Sequence, residues 1–459
     1  MITSINNTIA AITTPLGTGG VGVIRLSGDK SIEIISKIFS SSPDKKKLPE
    51  FKAGRIYHGW VVAKPHSQII IDEVILLIFK APNSYTGEDV VEIQCHGGIN
   101  IVKNILNLCL EAGARMAEKG EFTKRAFLNG RIDLSKAEAV LDLIHSKTDR
   151  FSTISACNLS GKLAIFINNL RGELINLLSL INAAIDFPEE VDEPEYNFIE
   201  EKINFIIGEI DKILKTAGSS NLMRQGIKAA IAGRPNVGKS SLFNALLSME
   251  RAIVTNIPGT TRDIIQETID INGIPVTLID TAGIREIENS HESHYIESIG
   301  IDISKTCIKE ADIVLFIADS EFGYTEEDRA IFEEIKNKPL IKIASKSDLK
   351  QHSDLSDYIF VSSKTQIGLE ELKKNIEKII LSSDNLQESE FSTNLRQQEC
   401  LNKANESLIN AKVSCDNKEV QDFISIDIKS ALISLGEITG EVVSDEIIEN
   451  IFSNFCIGK

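Results

Sequence analysis

The chain has 459 residues, 42% of them hydrophobic and 25% charged, with a formal net charge of −17 at pH 7. That length exceeds what one hydrophobic core fills, so two or three domains are expected, and the acidity opposes tight, sequence-independent binding of a polyanion by this chain alone. The seven cysteines include no CxxC pair, which argues against a disulfide framework or a zinc site, and no apolar run approaches the roughly 20 residues that span a bilayer, so no membrane partner is expected.

The first stretch, MITSINNTIAA, lacks the basic patch and apolar region of a secretory signal, and a cytoplasmic protein is expected. Up to about residue 130, short β-type runs (GVGVIRL, EVILLIF, DVVEIQC) mix with turn signals and one helical pattern, INIVKNILNLCLEAGA, which predicts an α+β domain. From Leu134 the character changes. Leu134, Ala137, Leu141 and Ile144 repeat at helical spacing. Leu159, Leu163, Phe166, Leu170, Leu174, Leu177, Ile181 and Ile185 then predict one long amphipathic helix, stopped by Pro188. Residues 186–201 carry eight acidic side chains and no basic one, the mark of a solvated linker or helix end. Ile203, Ile206, Ile210 and Ile213 form a further helix expected to end near TAGSSN. IKAAIAG, VTLIDTAG, DIVLFIAD and LIKIAS then alternate with helical or loop stretches, as in a parallel α/β sheet. After about residue 384 the pattern is helical again, so the simplest arrangement inserts the α/β unit between two halves of one helical domain.

GRPNVGKSS, Gly233 to Ser241, matches GxxxxGK[ST] between an apolar strand and the helical SSLFNALLS, the context a phosphate-binding loop requires. Asn236, Val237, Gly238, Lys239, Ser240 and Ser241 are its nucleotide contacts. Main-chain N–H groups and the helix amino end face the phosphates, Lys239 spans the outer ones, and the Ser240 hydroxyl serves Mg²⁺. Asp280, ending VTLID, holds the metal through water; it opens the contact stretch Asp280, Thr281, Ala282 and Gly283, whose last N–H reaches the terminal phosphate. Thr261, in GTTRD, is the second hydroxyl for Mg²⁺. SKSD, Ser345 to Asp348, stands where GTPases carry NKxD. Asp348 accepts from guanine's ring N–H and amino group, Lys346 covers the base, and Ser362, Ser363 and Lys364 resemble the loop that closes over it, so GTP is the expected substrate. Ser345 replaces an asparagine whose amide ties base to phosphate loop, which predicts weaker GTP binding with guanine preference kept. Ile284 stands where many such proteins carry a water-orienting glutamine.

Beyond these motifs, TIAAITTPLGTGGVGVIRLSG, PNSYTGEDVVEIQCHGG, KGEFTKRAFLNGRIDLSKAEAVLDLI and the terminal FCIGK resemble the bacterial and organellar MnmE (TrmE) family of tRNA modification GTPases along nearly the whole chain. The resemblance implies an α+β folate-binding and dimerisation domain at 1–130. It further implies a helical domain at 131–218 and 385–459, and a Ras-like G domain, a parallel sheet with flanking helices, inserted at 219–384. It implies a homodimer working with an FAD-binding MnmG-type partner on tRNA, where an aminomethyl or carboxymethylaminomethyl group is added to C5 of the wobble uridine. The one-carbon unit comes from a tetrahydrofolate derivative, 5-formyl or 5,10-methylene.

K⁺ between paired G domains would take the place of an arginine finger, with ligands carried over to Asn236 and to the carbonyls of Thr255, Ile257 and Thr260 in VTNIPGTT; Asn256, Pro258, Gly259 and Thr261 of the same stretch join the nucleotide contacts. Glu297, in ESIGI, is the residue that orients the water, with Glu288 and Glu292 as alternatives. Arg25, Glu92, Arg131 and Lys459 are the implied folate contacts, and Cys456 is a candidate reactive thiol. Two other classes compete: a ribosome-assembly GTPase, which would usually append a basic RNA-binding module, and a regulatory switch with no need of the folate motifs.

Overall fold

The computed structural model describes residues 7–43, 48–63, 69–249, 266–280, 306–349, 352–381 and 391–459. The chain divides into two compact units, one of Met1–Leu141 with Leu159–Gly172 and Leu432–Lys459, the other of Asp142–Asn158 with Glu173–Ala431.

In the first unit, β1 (Ile9–Ile12), β2 (Gly19–Ser27), β3 (Phe39–Ser40), β4 (Arg55–Val62), β5 (Ile70–Phe79), β6 (Val90–Gly97) and β7 (Arg115–Met116) form a sheet ordered β3-β4-β5-β6-β2-β1-β7. It is antiparallel except where β7 joins β1. Strand residues alternate faces. Leu26, Leu76, Ile78, Val91 and Ile93 turn inward and are covered by α1 (Ser31–Ile38) and α2 (Ile99–Glu111) through Ile34, Ile35, Val102 and Ile105. Arg25 and Glu92 are direct cross-strand partners, so both stand on the opposite face. The last residues return to this unit: Phe452 and Phe455 pack with Leu134 and Ala137, and Ile457 bridges Lys119. The Phe122 N–H donates to the Lys459 main-chain oxygen at 3.1 Å.

In the second unit, β8 (Ile227–Ala232), β9 (Gln266–Ile271), β10 (Ile274–Asp280), β11 (Ile313–Asp319), β12 (Leu340–Ser345) and β13 (Ile359–Phe360) are ordered β13-β12-β11-β8-β10-β9. Every pairing is parallel except β9 with β10. That edge departs from the all-parallel expectation because Asn272 (φ 53) and Gly273 (φ 86) close a two-residue hairpin, and consecutive positive φ values match the twist of the flanking strands. The central strands are apolar on both faces, as a sheet covered on both sides requires. Helices Tyr196–Lys215 and Leu395–Asp416, bracketing this sheet in sequence, run antiparallel to each other: Asn405 donates to Asp211 at 3.0 Å and Lys412 to Asn204 at 2.8 Å.

One helix boundary differs from the periodicity. The series starting at Leu159 is broken at Gly161 (φ 99), so one helix is Asp149–Ser160 and the next Lys162–Asp186. The helix carrying Ile203, Ile206, Ile210 and Ile213 ends at Lys215, just before TAGSSN as expected, and a separate short helix, Ala217–Gln225, follows and buries Ser219, Ser220 and Met223. Among the described residues, Lys162–Asp186 is the one helix long and apolar enough to cross a membrane. Its Leu163, Ile167, Leu170, Leu174, Leu177 and Ile181 form a buried stripe, the pattern of an amphipathic helix.

Arg125, 3% exposed, holds the first unit's charged interior together. It donates to Glu88 at 3.1 Å, to Glu121 at 2.9 Å and to the Asn7 carbonyl at 2.9 Å. Burial pushes the Glu121 carboxyl upward, but its bonds from Arg115, the Glu118 N–H and Arg125 prevail and hold it below the usual carboxylate range. This pairing therefore stabilises the fold at neutral pH and is lost as pH falls through that lowered value. Arg125→Met takes the shared cation from the half-buried Glu88, which keeps only Ser27, and from the buried Glu121, which keeps only Arg115 and the Glu118 N–H; a loss of about 3 kcal/mol is expected in denaturant unfolding.

Candidate functional site

The phosphate loop leaves β8 at its carboxyl end and enters the helix Lys239–Met249. Its carbonyls point away from where its N–H groups face, and side chains satisfy them. Lys239 Nζ donates to Gly233 O at 2.9 Å and Arg234 O at 2.8 Å. Lys346 Nζ reaches Asn236 O at 3.0 Å, and the Ser345 hydroxyl donates to Val237 O. Gly233 is required by close approach, since a Cβ there would lie 2.5 Å from Ile317 O. Ser240 Oγ donates to Asp280 Oδ2 at 2.8 Å, so a hydroxyl and a carboxylate meet beside Lys239, and such hard oxygen donors fit Mg²⁺. Asn236 is exposed, with φ 63, on the outer edge of the loop, while Val237 is buried in the sheet's core. Ser241 is exposed on the first turn of the helix.

The residues expected to recognise the base lie at the ends of β12 and β13. Asp348 is exposed, and the Ser362 hydroxyl donates to it at 2.7 Å, holding its carboxyl below the usual range so that it remains an acceptor. Ser363 is half-buried and Lys364 exposed beside it. Lys346 takes φ 58 and also pairs with Asp319 at 2.7 Å. Thr255, Asn256, Ile257, Pro258, Gly259, Thr260, Thr261, Thr281, Ala282, Gly283 and Glu297 lie outside the described residues, as do Ile284, Glu288 and Glu292. Two partners were not visible in the motifs. Asp319 ends β11 in an apolar run without a spacing signal. Arg234 stacks on Phe322 at 5.6 Å and lies 3.4 Å from Asp328, whose side chain is fully buried in the capping box of the helix Glu326–Ile335.

A second cluster sits on the open sheet face of the first unit. Arg25 Nε donates to Glu92 Oε1 at 2.8 Å, and its guanidinium lies between the rings of Tyr85 (5.2 Å) and Phe122 (5.6 Å). Glu92 and Arg131 line one cavity of about 630 Å³ with Phe79, Tyr85 and Val90. Lys459 is tied to Phe122, whose N–H donates to its main-chain oxygen at 3.1 Å and whose ring faces Arg25; burial first, then the Arg25 charge, lowers the Lys459 ammonium pKa, with Glu92 and Cys456 acting in the opposite direction. All four implied contacts are thus assembled from β2, β6, the stretch after α3 (Glu121–Leu128) and the tail. The aromatic pair around Arg25 had no sequence signal, because Tyr85 and Phe122 are far apart in the chain. Cys456 is exposed, whereas burial pushes the thiols of Cys95 and Cys415 to about 11 and that of Cys109 to about 12.

Residues 8–131 match the family described as GTP-binding protein TrmE N-terminus, and residues 134–456 match the MnmE helical domain. The chain belongs to the MnmE family. Relatives named tRNA modification GTPase MnmE occur in Alkaliphilus oremlandii, 44% identical over 466 residues with 99% of this chain and 100% of that protein covered. Others occur in Thermoanaerobacter pseudethanolicus, 45% identical with 99% of each covered, and in Clostridioides difficile, 42% identical with 99% and 100% covered. A crystal structure of Aquifex aeolicus Era bound to GDP and AlF₄⁻ is 27% identical, covering 40% of this chain and 67% of that chain with a TM-score of 0.27.

Like its MnmE relatives, the chain is a GTPase, and its phosphate loop has no room for a side chain at Gly233. Gly233→Ala drives a methyl group into Ile317 O, and an at least tenfold loss of GTP affinity is expected in nucleotide titration, with secondary structure retained by circular dichroism.

Proposed function

We propose that this MnmE-family GTPase couples GTP hydrolysis to modification of C5 of the wobble uridine in certain tRNAs, acting in the cytoplasm as a homodimer with an FAD-binding MnmG-type partner. The observation that carries the proposal is the convergence of Arg25, Glu92 and Lys459, distant in sequence, beside the Glu92–Arg131 cavity. A GTPase that only switched or assembled ribosomes would have no use for it. Full-length likeness to proteins named for tRNA modification supports the same reading.

The cavity's chemistry suits a reduced folate. Its volume of about 630 Å³ is in the range of small-molecule sites, roughly 300–1,000 Å³. The Glu92 carboxylate can accept from the ring N–H and amino group of a pterin, Arg25 fixes the orientation of that carboxylate, and the Tyr85 ring offers an apolar wall. Lys459 and Arg131 supply positive charge toward the glutamyl carboxylates. Bound folate would provide the one-carbon unit. The net charge of −17 leaves much of the tRNA contact to the partner.

In the G domain, Asn236 stands on the exposed edge of the phosphate loop, where its amide oxygen is suited to K⁺. K⁺ there would offset charge developing on the transferred phosphoryl group, the role an arginine finger fills elsewhere, with Thr255, Ile257 and Thr260 supplying carbonyls and Glu297 orienting the water.

Calorimetry with 5-formyltetrahydrofolate should show Glu92→Ala binding at least tenfold more weakly than the native chain, and unchanged affinity would remove folate from the account. GTP turnover is expected to rise with protein concentration in K⁺ but not in Na⁺, and Asn236→Ala should abolish the difference. A rate indifferent to that exchange of ions would overturn the potassium reading.

A further inference from the structure

The end of β12 separates two tasks that one asparagine side chain could perform together. Ser345 is 5% exposed, and its hydroxyl donates to Val237 O of the phosphate loop, with Ala318 O as a second acceptor at 3.2 Å. A serine has a single O–H donor. Both neighbours are carbonyls, so that one hydrogen is engaged on the protein side of the site. What remains on Oγ is lone pairs, which can only accept.

Guanine offers nothing to accept from on its N7 edge, where N7 and O6 are both acceptors. An asparagine has two N–H donors and could reach a loop carbonyl and N7 at once. We infer that in this chain residue 345 serves the phosphate loop only, that guanine N7 receives no hydrogen bond from it, and that within SKSD the hydrogen-bonded selection of guanine falls to Asp348. This rests on reading Asp348 as the acceptor for guanine's ring N–H and amino group. Ser345 is then a positioning residue: it fixes the loop carbonyl at Val237, next to Asn236, whose own carbonyl Lys346 holds at 3.0 Å. The base grip is weakened without loosening the loop that meets the phosphates.

The test compares GTP with 7-deaza-GTP, in which N7 is replaced by C–H, by competition against a fluorescent guanine nucleotide on the full chain. The native chain is expected to bind the two within twofold of each other. Ser345→Asn is expected to tighten GTP by roughly 3- to 10-fold, the worth of one added neutral hydrogen bond, and to leave 7-deaza-GTP behind by the same factor. Ser345→Ala removes the loop contact, so it should weaken both nucleotides equally and leave their ratio unmoved. A native chain that binds 7-deaza-GTP fivefold or more weakly than GTP overturns the inference, as does a Ser345→Ala chain whose ratio shifts. If Ser345→Asn does not fold, the native and alanine ratios decide. Asp348→Asn tests the underlying reading separately, since an amide in place of the carboxylate should favour xanthosine triphosphate over GTP. Guanine preference surviving that change would remove Asp348 from the account, whatever the 7-deaza comparison gives.

Discussion

A loop that turns its N–H groups toward phosphates must turn its carbonyls the other way, and those carbonyls need donors. Gly233, Arg234, Asn236 and Val237 present four of them, and the chain meets them with Lys239, Lys346 and Ser345. Two of these donors come from the end of β12, more than a hundred residues further along the chain. The parallel register that sets Ser345 beside Asp319, and β11 beside β8, is what delivers them. Sheet order and phosphate binding are therefore one constraint: shift β12 by a residue and Ser345 and Lys346 exchange faces, leaving loop carbonyls buried without partners.

The first unit solves a comparable problem with charge. Arg25 and Glu92 meet because β2 and β6 are antiparallel neighbours in a register that sets them opposite. The guanidinium can remain in a partly desolvated place because two aromatic faces and a carboxylate surround it. The tail brings a second cation to the same spot, and Lys459 bears the cost of it as a depressed pKa. Such a site is easier to form when an anionic group joins it, which is what a ligand with carboxylates provides.

Much of this was legible in the residues. The phosphate loop, Asp280 and Asp348 are recognisable because each motif sits at a fixed place relative to an apolar strand, and strand and helix follow from period alone. The antiparallel edge at β9 does not stand out in the sequence although Asn272–Gly273 is a hairpin signal, because QETIDI is interrupted by polar residues and lacks the apolar run of the parallel strands beside it. The break at Gly161 was missed because a glycine between two in-phase apolar series does not disturb their period. Arg25 and Glu92 gained a role only through family resemblance, since cross-strand register over 67 residues cannot be read from spacing. Tyr85 and Phe122 had no signal at all, because stacking on a guanidinium is a tertiary contact between loop and helix.

Three buried aspartates organise the nucleotide site, and their charges bear on which cations it needs. Asp280 accepts from Ser240, Asp319 pairs with Lys346, and Asp328 lies beside Arg234. Among the described residues around the loop, the cations Lys239, Lys346 and Arg234 are thus matched by three carboxylates, and the site is close to neutral before any ligand arrives. A nucleoside triphosphate adds several negative charges, while the exposed Asp348 and Lys364 offset each other nearby. A neutral cradle can orient such a polyanion through its N–H groups, but it cannot compensate it, and in a partly desolvated cleft uncompensated charge is costly. Metal ions that enter with the nucleotide can supply that compensation. That balance is the physical ground for a dependence on Mg²⁺ and, on the reading proposed above, on a second, monovalent cation at Asn236.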